Sequence, residues 1–178
     1  DRLNEQLKGI RILKGIEVDI LEDGRLDLPN EVLCKLDLVI GAVHSYFNLP
    51  REQQTHRILR AMDSPYFSIL AHPTGRLLDK REPYELDMER IIRQARARGC
   101  FLELNSQPRR LDIIDTHCQM AKQEGVLVSI NSDAHSENDL DNLQYGIAQA
   151  RRGWLEISNV LNARTLEELM PLLKQTMG

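Results

Sequence analysis

The chain has 178 residues, 28% of them charged and 42% hydrophobic, with a formal net charge of −4. That length suits one domain with a buried core, and no apolar run approaches the roughly 20 residues needed to span a bilayer, so the sequence predicts a soluble protein with no membrane partner. The acidic balance argues against a basic surface that coats nucleic acid, and three cysteines (Cys34, Cys100, Cys118) at unrelated spacings form neither a disulfide framework nor a paired zinc knuckle, which suits the reducing cytoplasm.

The chain opens on Asp1-Arg2-Leu3, with Leu3 and Leu7 already at helical spacing and no initiator Met or signal-peptide pattern, so the start reads as a cut inside a larger protein. An apolar run near Ile12–Leu21 predicts a first strand. Runs near Leu38–His44, Phe67–His72, Cys100–Asn105 and Val126–Asn131 predict four more. Between them, Met88, Ile91, Ile92 and Ala95 follow the spacing of an amphipathic helix, and Gly99 stands where its C-terminal cap is expected. Ile114, His117, Cys118 and Ala121 repeat the design and Gly125 ends it. A last stripe, Leu166, Leu169, Met170 and Leu173, is expected to pack on the outside of the fold. This βα rhythm predicts an α/β domain with parallel strands that curl toward a barrel.

Polar residues recur at one structural position. His44 and His72 arrive where the second and third strands end, and Asp133 and His135 follow the fifth; Glu17 lies in the first. The C-terminal ends of parallel barrel strands converge on one mouth, where such folds place their chemistry. Imidazole and carboxylate without thiolate suit manganese, zinc or iron better than calcium or an iron–sulfur cluster. Alone, D-x-H is more often a loop Asp and a partly exposed His, and a Glu in a strand can face outward with Asp19 beside it. Three coincidences at one position favour the metal site. If the chain is extended at Asp133 and His135, both project to one side. His117 falls in an apolar stripe and reads as a core or boundary residue, while His56 falls off the Ile58, Leu59 and Met62 stripe and reads as solvated. On the same mouth lie Ser45, Thr74, Asn105, Ser106, Asn131 and Ser132, with Arg76, Arg109 and Arg110 as candidate phosphate contacts or, more simply, solubilising surface.

The ordered stretches GIEVDILEDGRLDLP, GAVHSYFNLPRE, ILAHPTGRLL, REPYELDMERII, LELNSQPRRLD and INSDAHS resemble the PHP (polymerase and histidinol phosphatase) domain, in particular the one carried at the C-terminus of bacterial and archaeal family X DNA polymerases. The resemblance covers nearly the whole chain. It implies a distorted (βα)7 TIM-like barrel of the PHP type, here partial, with residues 1–178 as about the last five βα units of one domain. It further implies a cluster of up to three metals, with Glu17 as the bridging carboxylate, His44 and His72 sharing its second metal, Asp133 on the first and His135 on the third. The H-x-H strand and two further ligands that open the family pattern have no counterpart before Glu17, so only the Glu17, His44, His72 set has its full complement.

The function so implied is metal-dependent phosphoester hydrolysis at DNA 3′ ends, as 3′–5′ exonuclease or 3′ end processing in DNA repair, alongside an upstream polymerase domain in the same full-length chain. Divalent manganese is the first expectation for the cofactor, with zinc or iron as alternatives. Arg76, Asn105, Arg109 and Arg110 are the expected substrate contacts, and no separate general acid is evident. The rival readings are a small-molecule phosphatase of the histidinol phosphatase kind and a non-catalytic domain that braces a polymerase.

Overall fold

The computed structural model describes residues 1–178. A short helix α1 (Arg2–Gln6) precedes strand β1 (Gly15–Asp19), followed by α2 (Asn30–Leu33), β2 (Leu38–Ala42), α3 (Arg51–Met62), β3 (Ile69–Leu70), α4 (Met88–Arg98), β4 (Phe101–Asn105), α5 (Asp115–Glu124), β5 (Val128–Asn131), α6 (Leu143–Arg152) and α7 (Leu166–Lys174). Three 3-10 turns, at Glu137–Asn142, Ile157–Asn159 and Leu161–Ala163, fill the last third. The five expected strands are present, each somewhat shorter than its apolar run. They form one open parallel sheet in the order β1-β2-β3-β4-β5. Sequential parallel strands joined by crossover helices are part of a TIM-like barrel.

The helix ends follow their sequence. Asp87 caps α4 by accepting the Arg90 backbone N–H (3.2 Å), and Gly99 and Gly125 close α4 and α5 in the left-handed conformation that side chains resist. Met88, Ile91, Ile92 and Ala95 are all buried, as the spacing predicts. They join Ile58 and Met62 of α3, Cys118 and Ala121 of α5 and Ala150 of α6 in one core against Leu70, Leu102, Leu104, Val128 and Ile130 of the sheet.

Alternation then fixes the opposite, inner face. Glu17 pairs in register with Ile40, Ile40 with Ile69, Ile69 with Phe101, Glu103 with Ser129, and Asn105 with Asn131. Because side chains along a strand alternate, all of these lie on the face away from α3–α6. Its lower part is apolar and its upper part polar.

Helix α7 corrects the expectation of an outside position. Leu173, Leu169 and Met170 pack on Ile69 and Phe101 beside Leu38, Ile40 and Leu127, all inner-face residues. The physical reason is that an open sheet of five strands leaves its inner apolar surface to be covered, and the last helix folds under to cover it. Thr176 Oγ1 then donates to Ser68 Oγ (2.7 Å), fastening the C-terminus to the segment that enters β3. At the β5 edge, the Asn162 side-chain amide supplies what a sixth strand would: it accepts from Ile130 N–H (3.0 Å) and donates to Ile130 O (2.7 Å).

No helix is long and apolar enough to cross a membrane. Leu173 is 1% exposed and Leu166 44% exposed. Leu173→Ala should cost about 2–5 kcal/mol in denaturant unfolding, whereas Leu166→Ala should cost well under about 1 kcal/mol; equal small effects would place α7 outside the core after all.

Candidate metal centre

Glu17 lies inside β1 on the inner face, His44 two residues beyond β2, and His72 two residues beyond β3. Their ligand atoms all lie within 4.8 Å of one another. One oxygen, Glu17 Oε1, stands 3.1 Å from His44 Nε2 and 3.3 Å from His72 Nε2, and the two rings are tilted with centroids 5.2 Å apart. The His44 ring is held from behind: its Nδ1 lies 2.6 Å from Asp19 Oδ1. A carboxylate on one imidazole nitrogen fixes the tautomer and turns the other nitrogen toward the ligand, an arrangement common behind metal-bound histidines. Asp19 and Glu17 share this face because they are two residues apart in one strand.

The electrostatics follow from the contacts. Hydrogen bonds from His44 and then His72 hold the Glu17 carboxyl far below the usual carboxylate range, against a smaller opposing effect of burial. Glu17 in turn raises the pKa of His44, opposed by burial and helped by Asp19. Without a cation, the imidazoles can satisfy Glu17 only by presenting N–H. With one, the same three atoms become ligands once those protons leave. An N,N,O set of this kind fits a borderline divalent metal, so the residues present suit the metal that the chemistry implies.

Asp133 and His135 are not part of this convergence. Asp133 has a φ of 50°, so the chain is not extended there, yet His135 Nδ1 still lies 4.0 Å from Asp133 Oδ1. Asp133 Oδ2 accepts from Asn105 Nδ2 (3.0 Å) and lies 3.7 Å from Arg110 Nε. The His135 side chain is 80% exposed, with Nδ1 2.8 Å from the Asp133 carbonyl. The candidate phosphate contacts divide. Arg76 donates through Nε to the Arg110 carbonyl (2.7 Å) and through Nη2 to that of Leu111, so it braces the loop after β4. Arg109 is exposed. Arg110 Nη1 is buried without a partner, and Asn105 is 1% exposed with both amide hydrogens engaged on carboxylates. His56 is exposed and His117 half-buried in α5, its pKa lowered chiefly by burial.

Two residues of consequence were not singled out from sequence. Arg57 in α3 is 3% exposed and donates to three carbonyls, those of Ile20, of Leu21 (2.7 Å) and of Ser45 (2.9 Å), tying the end of β1 to the loop that carries His44. Glu103 in β4 is 4% exposed, and burial raises its pKa against opposing effects of His72 and Asn131. The available signal was a charged residue inside LELN, a strand whose other positions are apolar or end-polar, two residues from Asn105 on the same face.

No family model matches the chain. Among curated proteins, it is 44% identical over 175 residues to the DNA polymerase/3'-5' exonuclease PolX of Bacillus subtilis, covering 98% of this chain and 31% of that protein. It is 32% identical over 170 residues to a protein named "Probable phosphatase" from Thermoanaerobacter sp. (strain X514), covering 90% of this chain and 67% of that one. A third, also named "Probable phosphatase", from Syntrophotalea carbinolica, is 32% identical over 178 residues, at 95% and 71%. The chain thus spans about a third of the polymerase and about two thirds of the phosphatases.

The shifts fix a sign for the metal-free protein. His44, with a raised folded pKa, contributes stability that is complete below its unfolded value near 6.5 and is lost as pH rises through the folded pKa; Glu17, with a lowered one, contributes above about 4.5, a contribution lost only as pH falls through its lowered folded pKa. Metal-free melting temperature should therefore fall from about pH 6 to 8, and the trend should weaken in Glu17→Gln, which leaves Asp19 on the ring, as followed by thermal unfolding. With zinc or manganese present it should reverse, because the metal competes with the imidazole protons. Removing the partner behind the ring, Asp19→Asn should weaken metal binding by about 10–100-fold in a calorimetric titration.

Proposed function

Because the chain belongs to the PHP family, we propose that it is a metal-dependent phosphoesterase unit, acting on DNA 3′ ends within a polymerase of the family X kind. The observation that carries this reading is the convergence of Glu17, His44 and His72 at the mouth of a parallel sheet. When bound, a divalent cation supplies Lewis-acid activation of water and phosphoryl oxygen and neutralises charge on the leaving oxygen. Manganese is the first candidate, with zinc or iron as alternatives for the same donor set. Glu17, His44 and His72 hold the metal. Asp133 and His135 belong to the further cation positions of the family pattern.

The remaining roles rest on placement. Arg110, whose side chain is 18% exposed and whose Nη1 has no partner, is the guanidinium best situated to take a phosphate oxygen, and Arg109 the exposed cation nearest to it in sequence. Arg76 supports that loop by gripping the Arg110 and Leu111 carbonyls. Asn105 orients Asp133. The chain is acidic overall, so DNA is gripped locally at the mouth rather than along a basic face. Free Cys34, Cys100 and Cys118 accord with a cytoplasmic setting.

A second reading, a small-molecule phosphatase, is favoured by the larger share of the named phosphatases that the chain spans. Manganese-loaded protein assayed on a 3′-labelled oligonucleotide and, in parallel, on histidinol phosphate separates the two. The first reading predicts nucleotide or phosphate release from the oligonucleotide that a chelator stops and that Glu17→Gln or His72→Ala lowers by about a hundredfold or more. Turnover of histidinol phosphate alone would favour the second, and hydrolysis indifferent to chelator and to both substitutions would contradict both.

A further inference from the structure

The geometry points to Glu103 as a positioning residue that fixes His72 of the metal centre and, through Asn105, the neighbouring Asp133, so that both are set by one buried carboxylate. Glu103 Oε2 accepts the His72 backbone N–H (2.7 Å) and Asn105 Nδ2 (3.3 Å), and Oε1 accepts Asn131 Nδ2 (2.9 Å). The same Asn105 nitrogen donates to Asp133 Oδ2 (3.0 Å). Three strand ends, those of β3, β4 and β5, are thereby joined at one side chain.

What is joined is backbone that does not hold itself. His72 has a φ of 26° and Asp133 one of 50°, both in the left-handed region that non-glycine residues adopt only when their surroundings impose it. Glu103 grips the first at its amide. The second is gripped at its carboxylate by Asn105 and at its carbonyl by Gln107 Nε2 (3.1 Å). Each partner of Glu103 is an N–H donor, so only a carboxylate accepts from all three. The Asn131 amide is itself oriented, because the Ser129 hydroxyl donates to its Oδ1 (2.7 Å) and leaves Nδ2 toward Glu103. A side chain with an N–H of its own would meet another N–H at one of these contacts.

The inference rests on the reading of Glu17, His44 and His72 as a metal site, and the test separates the two. The chain is titrated with Co2+, whose visible spectrum reports the coordination geometry, in the wild type and in Glu103→Gln, Asn105→Ala and His72→Ala. A positioning role predicts that Glu103→Gln weakens Co2+ binding about tenfold or more and alters the spectrum, and that Asn105→Ala, which leaves the His72 amide bound, does so by less. Where Glu103→Gln fails to fold by circular dichroism, Asn105→Ala decides. If His72→Ala loses Co2+ while the folded hub variants keep wild-type affinity and spectrum, Glu103 is a structural residue and the inference is overturned. If His72→Ala itself binds Co2+ as the wild type does, the metal reading fails, and this inference with it.

Discussion

Side-chain alternation along strands paired in sequence order is the constraint on which this molecule turns. With β1 through β5 parallel and in register, every second residue faces inward, and the inner face must be apolar where α7 covers it and polar where it opens. Glu17, Glu103, Asn105 and Asn131 all occupy inner positions for this reason. The histidines lie beyond the strands that carry them, and reach the same mouth because parallel strands all end there.

That face gathers more negative charge than an interior tolerates without compensation. Glu17 is offset by two imidazoles, Glu103 by three N–H donors, and Asp133 by an amide and a guanidinium 3.7 Å away. Buried charges persist where they are paired or hydrogen-bonded, or where they serve a cation. Glu103 is 4% exposed and engaged at both oxygens, whereas the Glu17 side chain is 35% exposed at the mouth, with one oxygen between two imidazoles whose nitrogens can ligate. This difference separates a carboxylate that positions from one that binds. It also explains the layering behind the centre, with Asp19 behind His44, Glu103 behind His72, and Arg57 behind the segments that carry Glu17 and His44.

Much of this was legible in the sequence, for identifiable reasons. Strands β2 to β5 were visible because parallel strands largely buried on both faces read as mostly apolar runs, and β1, at the sheet edge, because Ile16 and Val18 alternate with Glu17 and Asp19. The α4 stripe and the Gly99 and Gly125 ends were visible because helix periodicity and left-handed caps have strong local signatures. Glu17, His44 and His72 converge because strand-end position is a topological property. What escaped depended on long-range contacts or on local backbone. Nothing in the Leu166–Leu173 stripe says which face of the sheet it will meet. The backbone at Asp133 takes a left-handed turn where an extended one would have set Asp133 and His135 on one side. Arg57 and Glu103 were passed over because a charged residue in an apolar pattern declares its partners only when distant carbonyls and amides are brought to it.

The central claim is that Glu17, His44 and His72 form one metal site, and X-ray absorption on the chain loaded with about one equivalent of zinc tests it most directly. The account predicts a first shell of nitrogen and oxygen only, with the outer-shell scattering of two imidazoles and no sulfur. A sulfur shell, a single imidazole, or zinc removed entirely by desalting would contradict it.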